Sequence, residues 1–484
     1  MLARLRAGAH TPAGRGQRPG RWLLPAVVAL AMAAPADASV RMHATGLEPA
    51  FRSYVPHYVI PCERGFRLKV RALGADEARV GDGAWFHGYA ARRVRLRPGQ
   101  AIRVSERTRG RVRRHWIRCL PESFPAFTFK RSGRPSAPFY IVSPLFPDDP
   151  DNYVFVFDRW GVPVWWFRST AGASDAKVLP DGSIVWSHYL GSIFGKDPGM
   201  GYEVHRPNGR LSKVIRTVGS ITDHHELQVT PEGNYMLLSY RPRSGVDTSA
   251  FNGDGDATVY DGVVQTLTPK GRLISSWSTA DHIGLAETGR WWGVLEETYD
   301  IVHPNSIEPL RNGDFLLSLR HTDAVYRVDG ATGEIEWKLG GTPTPQSLDV
   351  AGDPFGAYPF GGQHDARMVD GTISIHDNAT FLPRPPRAVR YRVGGGTATL
   401  VDTVTDRFAE TSFCCGSATF ARDRSWLLNW GGTDTVTEFD RRGRRTFRLR
   451  WEPDVFSYRA VAIRGELSSR TLIAGMNAQV PRKR

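Results

Sequence analysis

The chain has 484 residues, including 50 Gly and 33 Pro, and a formal net charge of +14. Runs of Val, Ile, Thr, Tyr, Phe and Trp are broken by turn residues, and no long stretch has helical periodicity, which argues against a helical fold and predicts an all-β protein. The length allows one large repeat domain and one smaller domain.

The N-terminus has the pattern of a secretory signal peptide. Five arginines precede an apolar run over residues 22–34, and Ala36-Asp-Ala38 matches a small-x-small cleavage site. The run is shorter than the roughly 20 residues that a membrane span needs. We therefore expect cleavage after residue 38 and a secreted, extracellular or periplasmic protein, the alternative being an uncleaved anchor. No later segment is apolar enough for stable membrane insertion.

An exported location also bears on the positive charge. Charge alone would allow a nucleic-acid surface, but an exported protein seldom needs one. We expect the charge to serve solubility and the attraction of anionic substrates, and we expect no nucleic-acid partner.

Residues 39–130 differ in character from the rest. Short alternating runs at 58–60, 66–70, 93–96 and 102–104 are separated by turns about every ten residues, which is typical of a small β-sandwich with an Ig-like arrangement. Cys62 and Cys119 both lie in this segment, and an exported setting permits a disulfide between them. The adjacent Cys414 and Cys415 could form a vicinal ring, remain buried thiols or bind metal.

From about residue 139 onward the sequence repeats at intervals of roughly 45–70 residues. Five units begin with apolar segments at 177–186, 227–240, 306–319, 366–375 and 417–429. Segments from both ends of this region, at 153–157, 162–167, 459–463 and 470–474, make a sixth unit. Five complete units and one unit shared by both ends predict a six-bladed β-propeller over residues 139–480. Its termini would close it, so that no sheet edge stays open.

Three histidines begin three of these repeats. The segments read His225-Glu-Leu-Gln, His303-Pro-Asn-Ser-Ile-Glu and His364-Asp-Ala-Arg, and each continues through a Gly turn into a second apolar strand. A fourth copy starts with Ser174 instead. Because equivalent positions of a closed repeat fold face one axis, we expect the three imidazoles to converge on one pocket at a mouth of the central channel.

Further polar and aromatic residues accompany these motifs. Asn305 lies within the second motif, and Arg320 and His321 follow the strand after it. Trp291 and Trp292 occupy the long insertion before that motif, where they are expected to lie over the channel mouth and could stack on a planar ring of a ligand.

The motifs resemble those of the bacterial arylsulfate sulfotransferases, over about residues 140–480. The segments that carry the resemblance are His225-Glu-Leu-Gln, Asp300-Ile-Val-His-Pro-Asn-Ser-Ile307, Ser318-Leu-Arg-His321 and Gln363-His-Asp-Ala-Arg. The small N-terminal domain is similar to that of a less-characterised branch of the family. The resemblance implies an exported propeller enzyme that moves a sulfuryl group from a phenolic sulfate to a phenol. The nucleotide donor PAPS would not be used.

The resemblance also assigns roles. It implies a sulfohistidine intermediate on His364, which would be the nucleophile. His225, His303, Asn305 and Arg320 would match residues that hold the sulfuryl oxygens and take the phenol proton. His321, Trp291 and Trp292 complete the predicted substrate-binding set. We expect no cofactor, and the chain has no Gly-x-x-x-x-Gly-Lys loop for a nucleotide sulfate.

Two other functions fit the same residues. His225, His303 and His364 could hold Zn²⁺, Mn²⁺ or Cu²⁺ in a metal-dependent hydrolase or lyase, although Arg320 is unfavourable beside such an ion. Alternatively, the propeller mouth and the N-terminal domain could bind a glycan or another cell-surface ligand without catalysis.

Overall fold

The computed structural model describes residues 40–62, 65–74, 76–145, 152–189, 197–295, 299–452 and 455–480. The predicted signal peptide over residues 1–38 lies outside this set. The predicted all-β class is confirmed, since the described residues form 33 strands and a single α-helix. None of the helices in the described ranges has the length and apolar character to cross a membrane.

The N-terminal part forms two sheets around one apolar core. The strands are β1 (Val40–His43), β2 (His57–Pro61), β3 (Phe66–Ala72), β4 (Glu77–Val80), β5 (Gly88–Val94), β6 (Ala101–Thr108) and β7 (Arg111–Leu120). One sheet has the order β1-β3-β5 and the other β2-β7-β6-β4. Residues of β3 alternate, so that Leu68 and Val70 enter the core while Arg67, Lys69 and Arg71 face solvent.

The predicted disulfide between Cys62 and Cys119 is confirmed, with 5.0 Å between the two Cα atoms. Cys62 directly follows β2, and Cys119 lies in β7 opposite Ile60, in the parallel pairing of the two strands. The bond therefore joins neighbouring strands of one sheet.

The rest of the chain forms sheets of antiparallel strands. The strands are β8 (Phe127–Arg131), β9 (Phe139–Leu145), β10 (Asn152–Asp158), β11 (Pro163–Ser169), β12 (Gly172–Val178), β13 (Ile184–Tyr189), β14 (Tyr202–His205), β15 (Leu211–Ile215), β16 (Ile221–Val229), β17 (Tyr235–Val246), β18 (Ala257–Leu267), β19 (Leu273–Ser278), β20 (Pro304–Pro309), β21 (Phe315–Leu319), β22 (Ala324–Val328), β23 (Ile335–Gly340), β24 (Asp349–Ala351), β25 (His364–Val369), β26 (Thr372–Asp377), β27 (Arg387–Gly394), β28 (Thr397–Val404), β29 (Ser417–Phe420), β30 (Trp426–Asn429), β31 (Thr435–Phe439), β32 (Arg445–Trp451) and β33 (Phe456–Ile463).

Six sheets each contain four strands in meander order. They are β12–β15, β16–β19, β20–β23, β25–β28, β29–β32 and β11-β10-β9-β33. β24 extends the fourth of these in parallel to β28, and β8 extends the fifth in antiparallel to β32. Short 3-10 helices lie between strands at Ser249–Phe251, Thr279–Asp281, Leu285–Gly293 and Arg320–Thr322.

The last sheet combines both ends of this region, but not in the way the sequence predicted. Three of its strands come from the beginning (β9, β10 and β11) and one comes from the end (β33). The segment 470–474, predicted as a strand, belongs to the α-helix α1 (Ser469–Gln479). The Ser468 side chain accepts a hydrogen bond from the Thr471 N–H and so caps the helix, while Leu472 and Met476, four residues apart, are buried on one side.

The first strands of the sheets contact each other in sequence: β12 contacts β16, β16 contacts β20, β20 contacts β25, and β25 contacts β29. β33 contacts both β29 and β12. Side chains of one strand accept backbone N–H groups of the next. Asp175 Oδ2 lies 3.1 Å from Leu227 N, Ser306 Oγ lies 3.0 Å from Ala366 N, and Asp365 Oδ2 lies 3.1 Å from Ala418 N.

Candidate active site

The recurring bonds between first strands define which positions are equivalent. Through their acceptors and donors these bonds align six positions: Asp175, Glu226, Ser306, Asp365, Ser417 and Arg459. The residues directly before them are equivalent too and are, in chain order, Ser174, His225, Asn305, His364, Gly416 and Tyr458. His303 was predicted at this position, and that prediction is wrong, because the equivalent residue in its repeat is Asn305. His303 precedes β20 and has a left-handed backbone with φ 47°, before Pro304. Its imidazole nevertheless reaches the same cavity as those of His225 and His364.

Polar side chains from several sheets line one cavity of about 220 Å³. Its ionisable lining consists of His224, His225, His303, Arg320, His321 and His364, together with the thiols of Cys414 and Cys415. Aromatic side chains complete the wall at Phe413, Phe456 and Tyr458. The structure thus brings together the three predicted histidines, Arg320 and His321.

His364 is held as a neutral imidazole. Its Nδ1 lies 2.9 Å from the Gly416 carbonyl oxygen, so Nδ1 carries the proton and donates it. This leaves the Nε2 lone pair on the other side of the ring, 3.2 Å from the Tyr458 hydroxyl. Burial lowers the pKa of His364 well below its ordinary value, and the nearby Arg459 lowers it further.

Two carboxylates orient the other two histidines. His225 Nδ1 lies 2.6 Å from Asp223 Oδ1, and His303 Nδ1 contacts Asp300. The ring centroids of His225 and His303 are 4.8 Å apart, and those of His225 and His364 are 6.3 Å apart. In each pair a carboxylate at Nδ1 orients the ring and would stabilise a proton gained at Nε2.

The electrostatics of the two pairs differ. Burial acts to raise the pKa of Asp223, but its interactions with His225 outweigh burial and lower this pKa below the ordinary range. Burial raises the pKa of Asp300. Burial also lowers the pKa of His303 well below its ordinary value, as do His225 and Arg320. Both shifts favour the neutral forms of His303 and Asp300.

Arg320 contributes positive charge to the cavity. Its guanidinium lies 4.5 Å from the ring centroid of Trp291 and donates to the Phe413 carbonyl. Among the described residues it forms no ion pair with a carboxylate, unlike the neighbouring Arg290, which pairs with Asp323. An unpaired guanidinium in a cavity is a ready partner for an anionic ligand.

His321 and His224 are neutral neighbours of these groups. His321 Nδ1 lies 2.6 Å from the Asp300 carbonyl oxygen, and its ring stacks 4.6 Å from that of His303. Burial lowers the pKa of His321 to about 3, and that of His224 to about 3. The ring of His224 packs 4.1 Å from that of His225.

Three predicted substrate-binding residues do not line the cavity. Trp292 stacks at 4.9 Å on Phe251 and is not among the residues that line the cavity. Trp291 is only 2% exposed and lies behind Arg320 and His321. Asn305 is buried and donates from Nδ2 to the Gln363 carbonyl, 2.8 Å away. The insertion that carries the tryptophans folds as a 3-10 helix that supports the cavity wall, so its rings pack inward.

The two cysteines of the pair at 414 and 415 are free, and their Sγ atoms are 2.8 Å apart. Cys414 is partly exposed and Cys415 is buried. Burial raises the pKa of the Cys415 thiol well above its ordinary value, and so does its contact with Cys414. Both thiols border the cavity, one and two residues before the Gly416 carbonyl that holds His364.

Two groups of possible metal ligands border the cavity. The first is Asp223, His224 and His225, and the second is Asp300, His303 and His321, each with ligand atoms within 4.8 Å of one another. The trio of His225, His303 and His364 that the sequence suggested is not one of the groups found among the described residues. In both groups a carboxylate already contacts a histidine Nδ1. The close approach of these atoms is therefore also explained by an Asp–His hydrogen bond.

A buried ion network lies next to the site, along the first strands. Arg459, the residue after Tyr458, contacts Asp175 and lies 2.8 Å from Glu226. Arg367 contacts Glu226 and lies 2.6 Å from Asp365. These pairs connect β33, β12, β16 and β25 directly behind the catalytic candidates.

Sequence reasoning missed Tyr458, Gly416 and Asp223. A signal for the first two was present, because Ser174-Asp-Ala, His364-Asp-Ala, Gly416-Ser-Ala and Tyr458-Arg-Ala share an alanine at the third position. Aligning the repeats on this alanine would have placed both residues beside His364.

Several solved structures are similar to this chain. A protein of unknown function from Bacteroides caccae has 12% identity and a TM-score of 0.42, over 67% of this chain and 98% of its own. Virginiamycin B lyase from Staphylococcus aureus has 10% identity and a TM-score of 0.36, over 70% of this chain and 100% of its own. A putative 6-phosphogluconolactonase from Bacteroides fragilis has 11% identity and a TM-score of 0.35, over 74% and 93%. Such TM-scores carry no argument about activity.

No curated protein matches the chain. The model of the arylsulfotransferase (ASST) family, however, matches residues 193–452, which is more than half of the chain and includes His225, His303, Arg320 and His364. By this match the chain belongs to the arylsulfotransferase family.

Proposed function

We propose that this protein transfers a sulfuryl group from a phenolic sulfate to a phenol through a sulfohistidine at His364, without PAPS. The observation that carries the proposal is the state of His364. Its Nδ1–H donates to the Gly416 carbonyl, and its Nε2 lone pair borders a cavity that also contains the guanidinium of Arg320. A neutral imidazole whose second nitrogen is unprotonated is a good nucleophile near neutral pH.

In the first half-reaction, His364 Nε2 attacks the sulfur of the donor. The N–S bond forms, the bond between sulfur and the aryl oxygen breaks, and the phenolate leaves. Negative charge spreads over the sulfuryl oxygens, and the positive charge of Arg320 stabilises it. Burial raises the pKa of Tyr458 well above its ordinary value, so this hydroxyl stays protonated and can donate to the same oxygens.

In the second half-reaction, a phenol acceptor must lose its proton. An ordinary phenol has a pKa of about 10, so a base is needed at neutral pH. His225, oriented by Asp223, is placed for this role, with its ring centroid 6.3 Å from that of His364. The phenolate oxygen attacks sulfur, the N–S bond breaks and His364 is restored.

The cavity suits one aromatic ring at a time. Its volume of about 220 Å³ compares with the roughly 150 Å³ of a cavity that holds benzene. Phe413 and Phe456 provide the apolar wall. Because donor and acceptor would occupy this space in turn, the proposal requires ping-pong kinetics.

We further propose that the six meander sheets close into a six-bladed propeller with β33 beside β12. The contacts from β12 through β29 to β33 and back to β12 support this closure. Cleavage after residue 38 and export remain part of the proposal, supported by the N-terminal sequence pattern and by the Cys62–Cys119 disulfide.

The test uses the purified protein with 4-nitrophenyl sulfate, with and without phenol. We expect phenol-dependent release of nitrophenolate, and a gain of one SO₃ in mass on the His364 peptide when the acceptor is omitted. His364→Ala should abolish both signals, whereas His87→Ala, an exposed histidine of the N-terminal part, should change neither. Release that requires added Zn²⁺ and disappears with chelator would favour the metal-dependent enzyme instead. Unchanged turnover in His364→Ala would refute the proposed nucleophile.

A further inference from the structure

The solvent face of the sheet β1-β3-β5 is strongly basic. Its exposed side chains include Arg41, Arg67, Lys69, Arg71 and Arg93, which together we call the basic face. The register places Arg41 directly opposite Arg71, and Arg67 directly opposite Arg93. Like charges directly opposite each other in a sheet destabilise it. The fold therefore places two pairs of like charges on this surface. Solubility alone does not explain them, because any polar residue would provide it.

None of the described residues of β1, β3 and β5 that face the same way is acidic. The other residues with the same orientation are His43, Tyr89 and Ala91. Within the described part of the chain, the four members of the basic face other than Arg41 form neither an ion pair nor a side-chain hydrogen bond. Their guanidinium and ammonium groups are available to a partner from outside the chain.

The basic face also lies in the part of the chain that carries the net charge. Residues 40–130 contain 19 Lys and Arg but only seven Asp and Glu, a balance of +12. Residues 131–484, which include the cavity, contain 39 Lys and Arg and 41 Asp and Glu, a balance of −2. The charge is thus concentrated away from the cavity, so attraction of a small anionic substrate to His364 does not account for it.

We propose that the basic face binds a linear polysaccharide that carries sulfate or carboxylate groups. Residues of β3 on this face repeat about every 6.6–6.8 Å, and neighbouring strands are about 4.8 Å apart, which forms a flat grid of cations. Arginine matches the oxygen pairs of sulfate and carboxylate with two parallel hydrogen bonds. Tyr89, 60% exposed and directly opposite Arg71, supplies a ring on which a sugar can pack.

Two other anionic partners fit less well. A membrane surface would call for exposed Leu, Phe or Trp beside the cations, and the basic face has only Tyr89. Single-stranded nucleic acid is usually bound on successive aromatic platforms, and the grooves of a duplex admit a helix or a two-stranded ribbon rather than a flat three-stranded sheet.

The test measures binding of the full-length protein to fluorescent dextran sulfate and to polygalacturonate at about 0.15 M ionic strength. Neutral dextran, duplex DNA and vesicles of anionic phospholipid are measured in parallel. We expect binding to one or both anionic polysaccharides, and weakening by about tenfold or more in R67Q/K69Q/R71Q/R93Q. The double variant R67Q/R71Q removes only two charges and disturbs the sheet less, and it should also weaken binding. Its result shows that the effect comes from lost charge and does not depend on loss of the fold.

The matched control removes four exposed arginines from the remainder of the chain, in R210Q/R272Q/R441Q/R442Q. We expect this variant to bind as the wild type does, within about twofold. Equal weakening by both quadruple variants would show unspecific charge attraction and overturn the proposal. Tighter binding to DNA or vesicles than to either polysaccharide would overturn it as well, as would the absence of polysaccharide binding. Sulfuryl transfer is read separately, and none of these outcomes depends on it.

Discussion

At the scale of single residues, the backbone carbonyl of Gly416 decides the chemistry of His364. It accepts a hydrogen bond from the Nδ1–H and so leaves the Nε2 lone pair on the side of the cavity. Gly416 has φ 92°, and a Cβ there would lie 2.7 Å from the ring of His376. A side chain at this position is excluded by both conformation and space, and the carbonyl keeps its direction for that reason.

The depressed pKa of His364 predicts the pH dependence of the first half-reaction. The neutral imidazole is the nucleophile, and burial keeps it neutral well below the ordinary histidine pKa of about 6.5. We therefore expect the burst of nitrophenol, quenched and measured after base is added, to have the same rate constant at about pH 5.5 and pH 7.5. A rate constant that falls with an ionisation near 6.5 would contradict this assignment.

The residues of the site were predictable to the extent that they recur. His225, His303 and His364 stand in similar local motifs, and Arg320 and His321 follow one of them, so one pocket could be inferred. Asp223 could not be inferred in the same way, because neither His303 nor His364 has a carboxylate two residues before it. The shared alanine motif marks Tyr458 as an equivalent position, but its contact with His364 also depends on the place of β33 between β29 and β12 in space.

At the scale of elements, alternation and turn residues predicted most of the strands. The predictions were wrong at the two ends of the repeat region, for the segment 470–474 and for β9. The segment 470–474 is apolar enough for a strand, yet Ser468 and the burial of Leu472 and Met476 favour a helix. The strand β9 is buried at all seven positions. β10 is equally buried and was predicted, so burial does not explain the omission of β9. Its role in the shared sheet depends on its pairing with β33, which is distant in sequence.

The disulfide between β2 and β7 should contribute measurably to stability. Closing a loop of this length, with a sequence separation of 57, is worth about 4 kcal/mol in the chain-entropy model. We expect C62A/C119A to lower the free energy of unfolding of the N-terminal sheets by that order, measured by denaturant titration. The single variant Cys414→Ser is the control, because that thiol is free. An equal loss in the control, or no loss in the double variant, would contradict the expectation.

At the scale of the whole molecule, buried charges link sheets that are far apart in sequence. Arg367 of β25 contacts Glu226 of β16 and lies 3.4 Å from Glu308 of β20. Arg459 of β33 contacts Asp175 of β12 across 284 residues of sequence. Local sequence patterns contain no information about such partners, so this network is visible only once the sheets are assembled.

Glu308 makes the stability of this assembly depend on pH. Burial raises its pKa to about 7, and Arg367 offsets only part of the effect. A carboxyl whose folded pKa lies above its unfolded value of about 4.5 does not destabilise the fold at pH below that value. The destabilisation grows as the pH rises from about 4.5 to the folded pKa of about 7 and is constant above it. We therefore expect Glu308→Gln to raise the free energy of unfolding by on the order of 2 kcal/mol at pH 8 relative to its effect at pH 5.

Glu203 offers a control of opposite sign. Hydrogen bonds from His188 and His205 lower its pKa to about 2, so its ionised form stabilises the fold above its unfolded pKa, and this contribution is lost as pH falls toward 2. Glu203→Gln should accordingly lower stability at pH 8. Denaturant titrations of both variants and the wild type at pH 5 and pH 8 measure the two effects. A gain from Glu308→Gln that is the same at both pH values would come from packing or from Arg367, and the ionisation of Glu308 would then not explain it.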